Sequence, residues 1–128
     1  MSIGCRLLTE ANAAGLLLSR RGEHIHIDSP LGRPLPEDLR ERLLAHRAQV
    51  LAWLDWCSAT DELLLAMSGR LAMCPGGAAL DEAAWHAADE AMQRAHHSQD
   101  MRVFRTALAD YERFAREQLS RSREGEER

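Results

Sequence analysis

Six histidines, His24, His26, His46, His86, His96 and His97, are the side chains of this 128-residue sequence best suited to acid–base work or metal ligation near neutral pH. None of them makes a His-x-x-x-His pair, the spacing that puts two imidazoles on one helix face. On a strand, His24 and His26 share a face with their rings about 6–7 Å apart, close enough to hold one divalent ion if Asp28 or Glu23 joined them. Two histidines without a fixed third ligand hold zinc weakly, and a structural zinc site ordinarily takes four protein ligands, so no metal is expected. Cys74 with His86 as base would make a nucleophile, but no orienting acid is specified. The three cysteines, Cys5, Cys57 and Cys74, are odd in number and lack metal-type spacing, which fits small apolar fillers in a reducing compartment. Gly76-Gly77 is followed by no lysine, and the sequence contains none, so a phosphate-binding glycine loop is excluded. The expectation is a protein with no catalytic residue, no cofactor and no enzymatic activity.

Binding chemistry is better represented. Arg20 and Arg21 stand at the end of one β-prone run, His24 and His26 in the next, and Arg33 follows it. Together they form a cationic set able to select an acidic peptide. Trp53 and Trp56, three apart and so nearly on one helix face, are a large apolar pair in a sequence with only 5% aromatics, and are expected at a homodimer interface. His46 is expected in a polar tie with Glu10 or Asp55, and His96-His97 in a loop between helices.

These residues need elements to place them. Leu7 to Ala14 reads as a short helix closed at Gly15. Leu16–Arg20 and His24–Asp28 flank Arg21-Gly22-Glu23, and the second run alternates polar and apolar, predicting a β-hairpin with Ile25 and Ile27 on the dry face. Pro30, Gly32, Pro34 and Pro36 end it. From Glu37 to Arg70 only Gly69 is a helix breaker, and Leu39, Leu43, Val50 and Leu54 recur at helical spacing, with a break expected near His46 to Ala48. Ser58-Ala59-Thr60-Asp61 resembles a capping box, predicting a new helix that ends near Met73. Beyond Cys74-Pro75-Gly76-Gly77, two periodic segments follow: Leu80, Trp85, Ala88, Met92, Ala95, then Met101, Phe104, Leu108, Tyr111, Ala115. They predict an antiparallel helical hairpin with Asp100 as N-cap. From Ser120 on the sequence is polar and a frayed tail is expected.

The fold class is therefore mostly α (α+β): an N-terminal αββαα unit over residues 1–56, a helical unit over 57–119 and a tail over 120–128. The first unit resembles the TubC-type N-terminal docking domain of nonribosomal peptide synthetase subunits. The residues that carry the resemblance are Leu7-Leu8 through Gly15-Leu16, His24-Ile25 through Pro30-Leu31-Gly32, Leu35-Pro36-Glu37-Asp38-Leu39-Arg40, Leu44-Ala45-His46-Arg47 and Val50-Leu51. The resemblance implies a dimerising module whose hairpin edge takes up the acidic C-terminal tail of a partner as an added strand. Assembly-line members of that family continue into a condensation or adenylation domain, whereas here 72 residues of mainly helical character follow.

Charge narrows the function classes further. The formal net charge is −4, with sixteen arginines against twenty acidic residues, so direct nucleic-acid binding is not expected. Residues 1–56 hold seven arginines and seven acidic residues, and 57–128 nine and thirteen, which places the acidity in the helical half. No apolar run is long enough to span a bilayer, and a cytoplasmic protein is expected, its all-arginine usage pointing to a GC-rich bacterial coding sequence. The reading that results is a non-enzymatic interaction module that binds a partner peptide or protein by strand addition at the hairpin edge. The alternative is a mobile-element accessory protein that docks on a nucleic-acid enzyme and blocks or recruits it.

Overall fold

A computed structural model describes residues 2–74 and 81–126, with side chains as far as Ser120. It is mostly helical, with one two-stranded antiparallel hairpin, and its backbone contacts divide it into two units, Met1–Ala59 and Thr60–Arg128.

In the first unit, α1 spans Ile3–Ala13. It starts four residues earlier than the Leu7 periodicity predicts because Ser2 caps it, its hydroxyl accepting from the Cys5 N–H at 3.2 Å. Leu7 and Ala11, one turn apart, are fully buried. The helix closes at Gly15, whose φ of +81° is costly for a residue with a Cβ, and the chain turns directly into buried Leu16. Strands β1 (Leu17–Arg21) and β2 (His24–Asp28) form the predicted hairpin. Gly22, with φ +60°, occupies the first position of the two-residue turn, where the favoured hairpin turns need positive φ. Helix α2 covers Glu37–Ala45, with Glu37 and Asp38 in its first turn. The expected break is at His46, which leaves the helical region (φ −115°, ψ 29°) before α3 begins at Arg47. Leu7, Ala11, Leu16, Leu39, Leu43 and Val50 form the core, with Leu18, Ile25, Ile27, Leu35 and Leu54 packed against it.

Helix α3 is a single element over Arg47–Ala72, and the unit boundary falls inside it. The capping box expected at Ser58–Asp61 is therefore not used as one. Ser58, which would be the N-cap of such a box, lies inside the continuous helix, and Thr60 beside it is fully buried with its Oγ1 3.1 Å from His96 Nε2. No glycine or proline interrupts the helix before Gly69, so nothing stops propagation.

The second unit contains the last part of α3 with α4 (Glu82–His97) and α5 (Met101–Glu126). Asp81 caps α4 by accepting from Ala84 N–H at 3.1 Å. The helices are joined by Ser98-Gln99-Asp100, Gln99 has φ 54°, and Asp100 caps α5 as expected, its Oδ1 accepting from Arg102 N–H at 2.9 Å. One expectation is corrected here. His96 and His97 belong to the last turn of α4 and not to the loop, where their polarity suits the helix C-terminus. The α5 backbone continues past Ser120 to Glu126. Phe104 is fully buried and Met67, Ala95, Leu108 and Ala115 are buried around the same helices. Trp85 meets Phe114 and Tyr111 edge-on, at centroid distances of 4.9 and 6.1 Å. Arg70 of α3 holds Glu112 of α5 at 2.6 Å, and Arg116 adds a second cation at 2.9 Å. Together they hold the Glu112 carboxyl below its ordinary range. The expectations for Leu80 and for the Pro75-Gly76-Gly77 break lie outside the described residues. No helix among the described residues is long and apolar enough to cross a membrane.

Candidate functional site: a groove beside the second strand

The hairpin register pairs Leu17 with Asp28, Leu18 with Ile27, Ser19 with His26, Arg20 with Ile25 and Arg21 with His24. With a two-residue turn, the pair that closes it, Arg21 and His24, is hydrogen-bonded, and such pairs alternate along the ladder. Ile25 and Ile27 therefore direct their N–H and C=O groups away from β1, along the outer edge of β2. Among the described residues no further strand pairs with that edge.

Beside this edge lies a cavity of about 190 Å³ between β2, α2 and the start of α3. Its apolar lining is Ile25 and Ile27 from the strand, Leu35 from the incoming loop, and Leu43 and Leu44 from α2. Leu44 is 59% exposed. The polar lining is His24, Arg40 and Arg47, so the groove carries positive charge without a carboxylate. Arg40 makes a solvent-exposed ion pair with Glu37 at 3.3 Å, the kind that contributes little. Arg47 makes no ion pair among the described residues.

The residues expected to bind a partner are distributed differently. Arg20 is committed within the unit: its guanidinium pairs with Asp55 of α3, lies 3.1 Å from Glu23 and donates to the Gly22 carbonyl at 2.8 Å. Arg21 is exposed at the end of β1. Arg33 lies over Gly15, with its Cδ 3.2 Å from where a Cβ there would stand. His26 has its Nε2 3.0 Å from Asp28 Oδ1, on the face opposite Ile25 and Ile27. His24 alone of the five lines the groove. Arg40 and Leu44, one turn apart on α2, and Arg47 at the start of α3 beyond the His46 break are the groove residues that sequence reading missed.

Two other expectations change in the same unit. The carboxylates offered to His46 are taken by arginines, Glu10 by Arg42 at 2.7 Å and Asp55 by Arg20, because a guanidinium offers a charge-assisted pair at any pH. Trp53 is 3% exposed, and its Cβ stands 2.8 Å from where a Cβ on Gly4 would be, so it is buried against α1; Trp56 is half-buried. Among the described residues no group of three or more His, Cys, Asp or Glu side chains is placed to hold a metal ion.

In the second unit, the titration of His96 is displaced. Burial of His96, reinforced by the neighbouring charge of His97 and opposed by Asp61, lowers its pKa from 6.5. Its ring also meets Phe104 edge-on at 5.8 Å. Because the folded pKa lies below the unfolded one, the unfolded chain binds more protons in this window. Stability is then fully present above pH 6.5 and is lost as pH falls through the folded pKa. Urea midpoints measured from pH 7.5 downward should fall, and the His96→Gln variant should flatten that dependence; an unchanged slope in the variant would remove His96 as its source.

No family model matches the chain, and neither a curated protein nor a solved structure matches it.

Proposed function

We propose that the first unit is a non-enzymatic docking module that binds an extended, acidic peptide segment as a third strand along β2. The observation that carries this reading is the coincidence of two features on one side of β2. The outward amides of Ile25 and Ile27 lie at the rim of an apolar groove, and the charges lining that groove are Arg40 and Arg47. A strand added there gains backbone hydrogen bonds from the unpaired edge. Its alternate side chains point to the same side as Ile25 and Ile27 and fill the space beside Leu35 and Leu44, while carboxylates meet the guanidinium groups. The reading agrees with what the TubC-type resemblance implies, but moves the cationic determinants from the hairpin arginines to α2 and α3.

Selection from a displayed random-peptide library on the full chain tests it. The enriched peptides should alternate aliphatic and acidic residues, and a bound peptide should slow hydrogen exchange at the amides of Ile25 and Ile27. Arg47→Glu should weaken that peptide about tenfold at low salt, mostly through slower association, and less at high salt. The fold should tolerate the change within about 0.5 kcal/mol, as surface positions do. Protection at Leu18 and Arg20 instead, or an equal loss at every salt concentration, would refute the assignment of this edge.

A further inference from the structure

We infer that the α4/α5 hairpin pairs with a second copy of itself, antiparallel, across the groove that runs between the two helices. The groove, about 550 Å³, has a floor of small side chains, Ala91 and Ala95 from α4 and Thr106 and Ala107 from α5. Val103 joins them and is 46% exposed. A floor of this kind lets another helix approach to about 8 Å, the short end of interhelical distances.

Charge selects the occupant. At the end nearest the Ser98–Asp100 turn the groove is lined by Arg94 and Arg102, neither of which makes an ion pair among the described residues. At the other end it is lined by Asp110, whose contact with Arg113 is 3.6 Å long and solvent-exposed. An acidic helix from an unrelated protein would satisfy the two arginines and set a like charge against Asp110, and a basic helix would do the reverse. A second copy laid antiparallel sets a carboxylate against an arginine at both ends.

The register follows from the spacing. Arg102 and Asp110 lie four residues on either side of Thr106, about 6 Å in each direction along the axis. A two-fold axis over Thr106 therefore brings Arg102 of each copy to Asp110 of the other. The same operation sets Val103 and Ala107 of one copy against the small floor of the other. Such a contact is isologous and closes at two chains, producing a four-helix arrangement from two helical hairpins. Helix α5, with 26 residues and so about 39 Å long, has the length for an interface of standard size, about 800 Å² per partner.

Sedimentation velocity on the full chain, from about 1 to 300 µM, a range that reports dissociation constants typical of weak dimers, tests the inference. A concentration-dependent monomer–dimer equilibrium is expected. Arg102→Asp and Asp110→Arg should each raise the dissociation constant by about tenfold or more, by placing like charges across the axis. Both positions are exposed, so circular dichroism and melting should be unchanged and will separate lost pairing from lost folding. The double variant should dimerise like the parent, and an equimolar mixture of the two single variants should form a heterodimer, because each pairing is then Asp against Arg. A chain that stays monomeric at 300 µM, single variants that pair as the parent does, or a double variant and mixture that fail to recover would each overturn the inference.

Discussion

Gly4→Ala is expected to destabilise the first unit by about 1–3 kcal/mol, the opposite of what this change does in an ordinary helix interior, where alanine is favoured by about 1 kcal/mol. The reason is the approach of α1 to α3. A Cβ on Gly4 would stand 2.5 Å from the Gln49 carbonyl oxygen and 2.8 Å from Trp53 Cβ, and neither is the far end of a flexible side chain. A backbone carbonyl yields only if the helix moves, and α1 carries Leu7 and Ala11 into the core with it. Gly69 on α3 is the control, since a Cβ there meets nothing within 4 Å and Gly69→Ala should stabilise by up to about 1 kcal/mol. Urea denaturation should show the two midpoints moving in opposite directions with unchanged slopes. If Gly4→Ala raises the midpoint as Gly69→Ala does, the close approach of α1 and α3 is wrong.

Phe104→Ala should cost about 3–5 kcal/mol, the range for a fully buried aromatic ring replaced by a methyl group. Phe104 is the largest of the fully buried side chains, and Ala95, Leu108 and Met67 are buried in the same unit with little freedom to fill the void. The substitution has a second readout besides stability. With the ring gone, water reaches the face of His96 that Phe104 now covers, and the imidazole titration followed by NMR should move back up toward 6.5. A loss below about 1 kcal/mol with an unmoved His96 titration would mean that Phe104 does not hold the centre of this unit.

How far these features are readable from residues alone depends on the range of the interaction that decides them. The hairpin is local, set by two-residue alternation and Gly22, and it is legible, though the three-residue connection expected at Arg21-Gly22-Glu23 is a two-residue turn because Arg21 pairs with His24. The break at His46 falls in the expected place, though periodicity alone allows one helix or two. The Asp100 cap is local too, and likewise legible. The continuity of α3 through Ser58–Asp61 is not, because a capping box and four mid-helix residues are the same letters, and the partner that Thr60 meets, His96, lies 36 residues away. Arg20 reads as a free cation until Asp55, 35 residues on, is folded beside it. The groove cations are hidden in the same way. Arg40 and Arg47 read as solvated helix residues, and only the packing of α2 next to β2 brings them to the cavity that Ile25 and Ile27 border.

The outward edge of β2 also carries a liability. Amides left unpaired along a strand edge can pair with any strand, including β2 of another molecule, and sheet growth by such edge-to-edge pairing is a common route to aggregation. Two identical edges brought together would each present Arg40 and Arg47 to the same pair, so these guanidinium groups oppose pairing of β2 with its own copy. This protection is purely electrostatic, with a range of about 10 Å at 0.1 M salt and about 3 Å at 1 M. The molecule is thus guarded against itself in dilute buffer and progressively unguarded as salt rises.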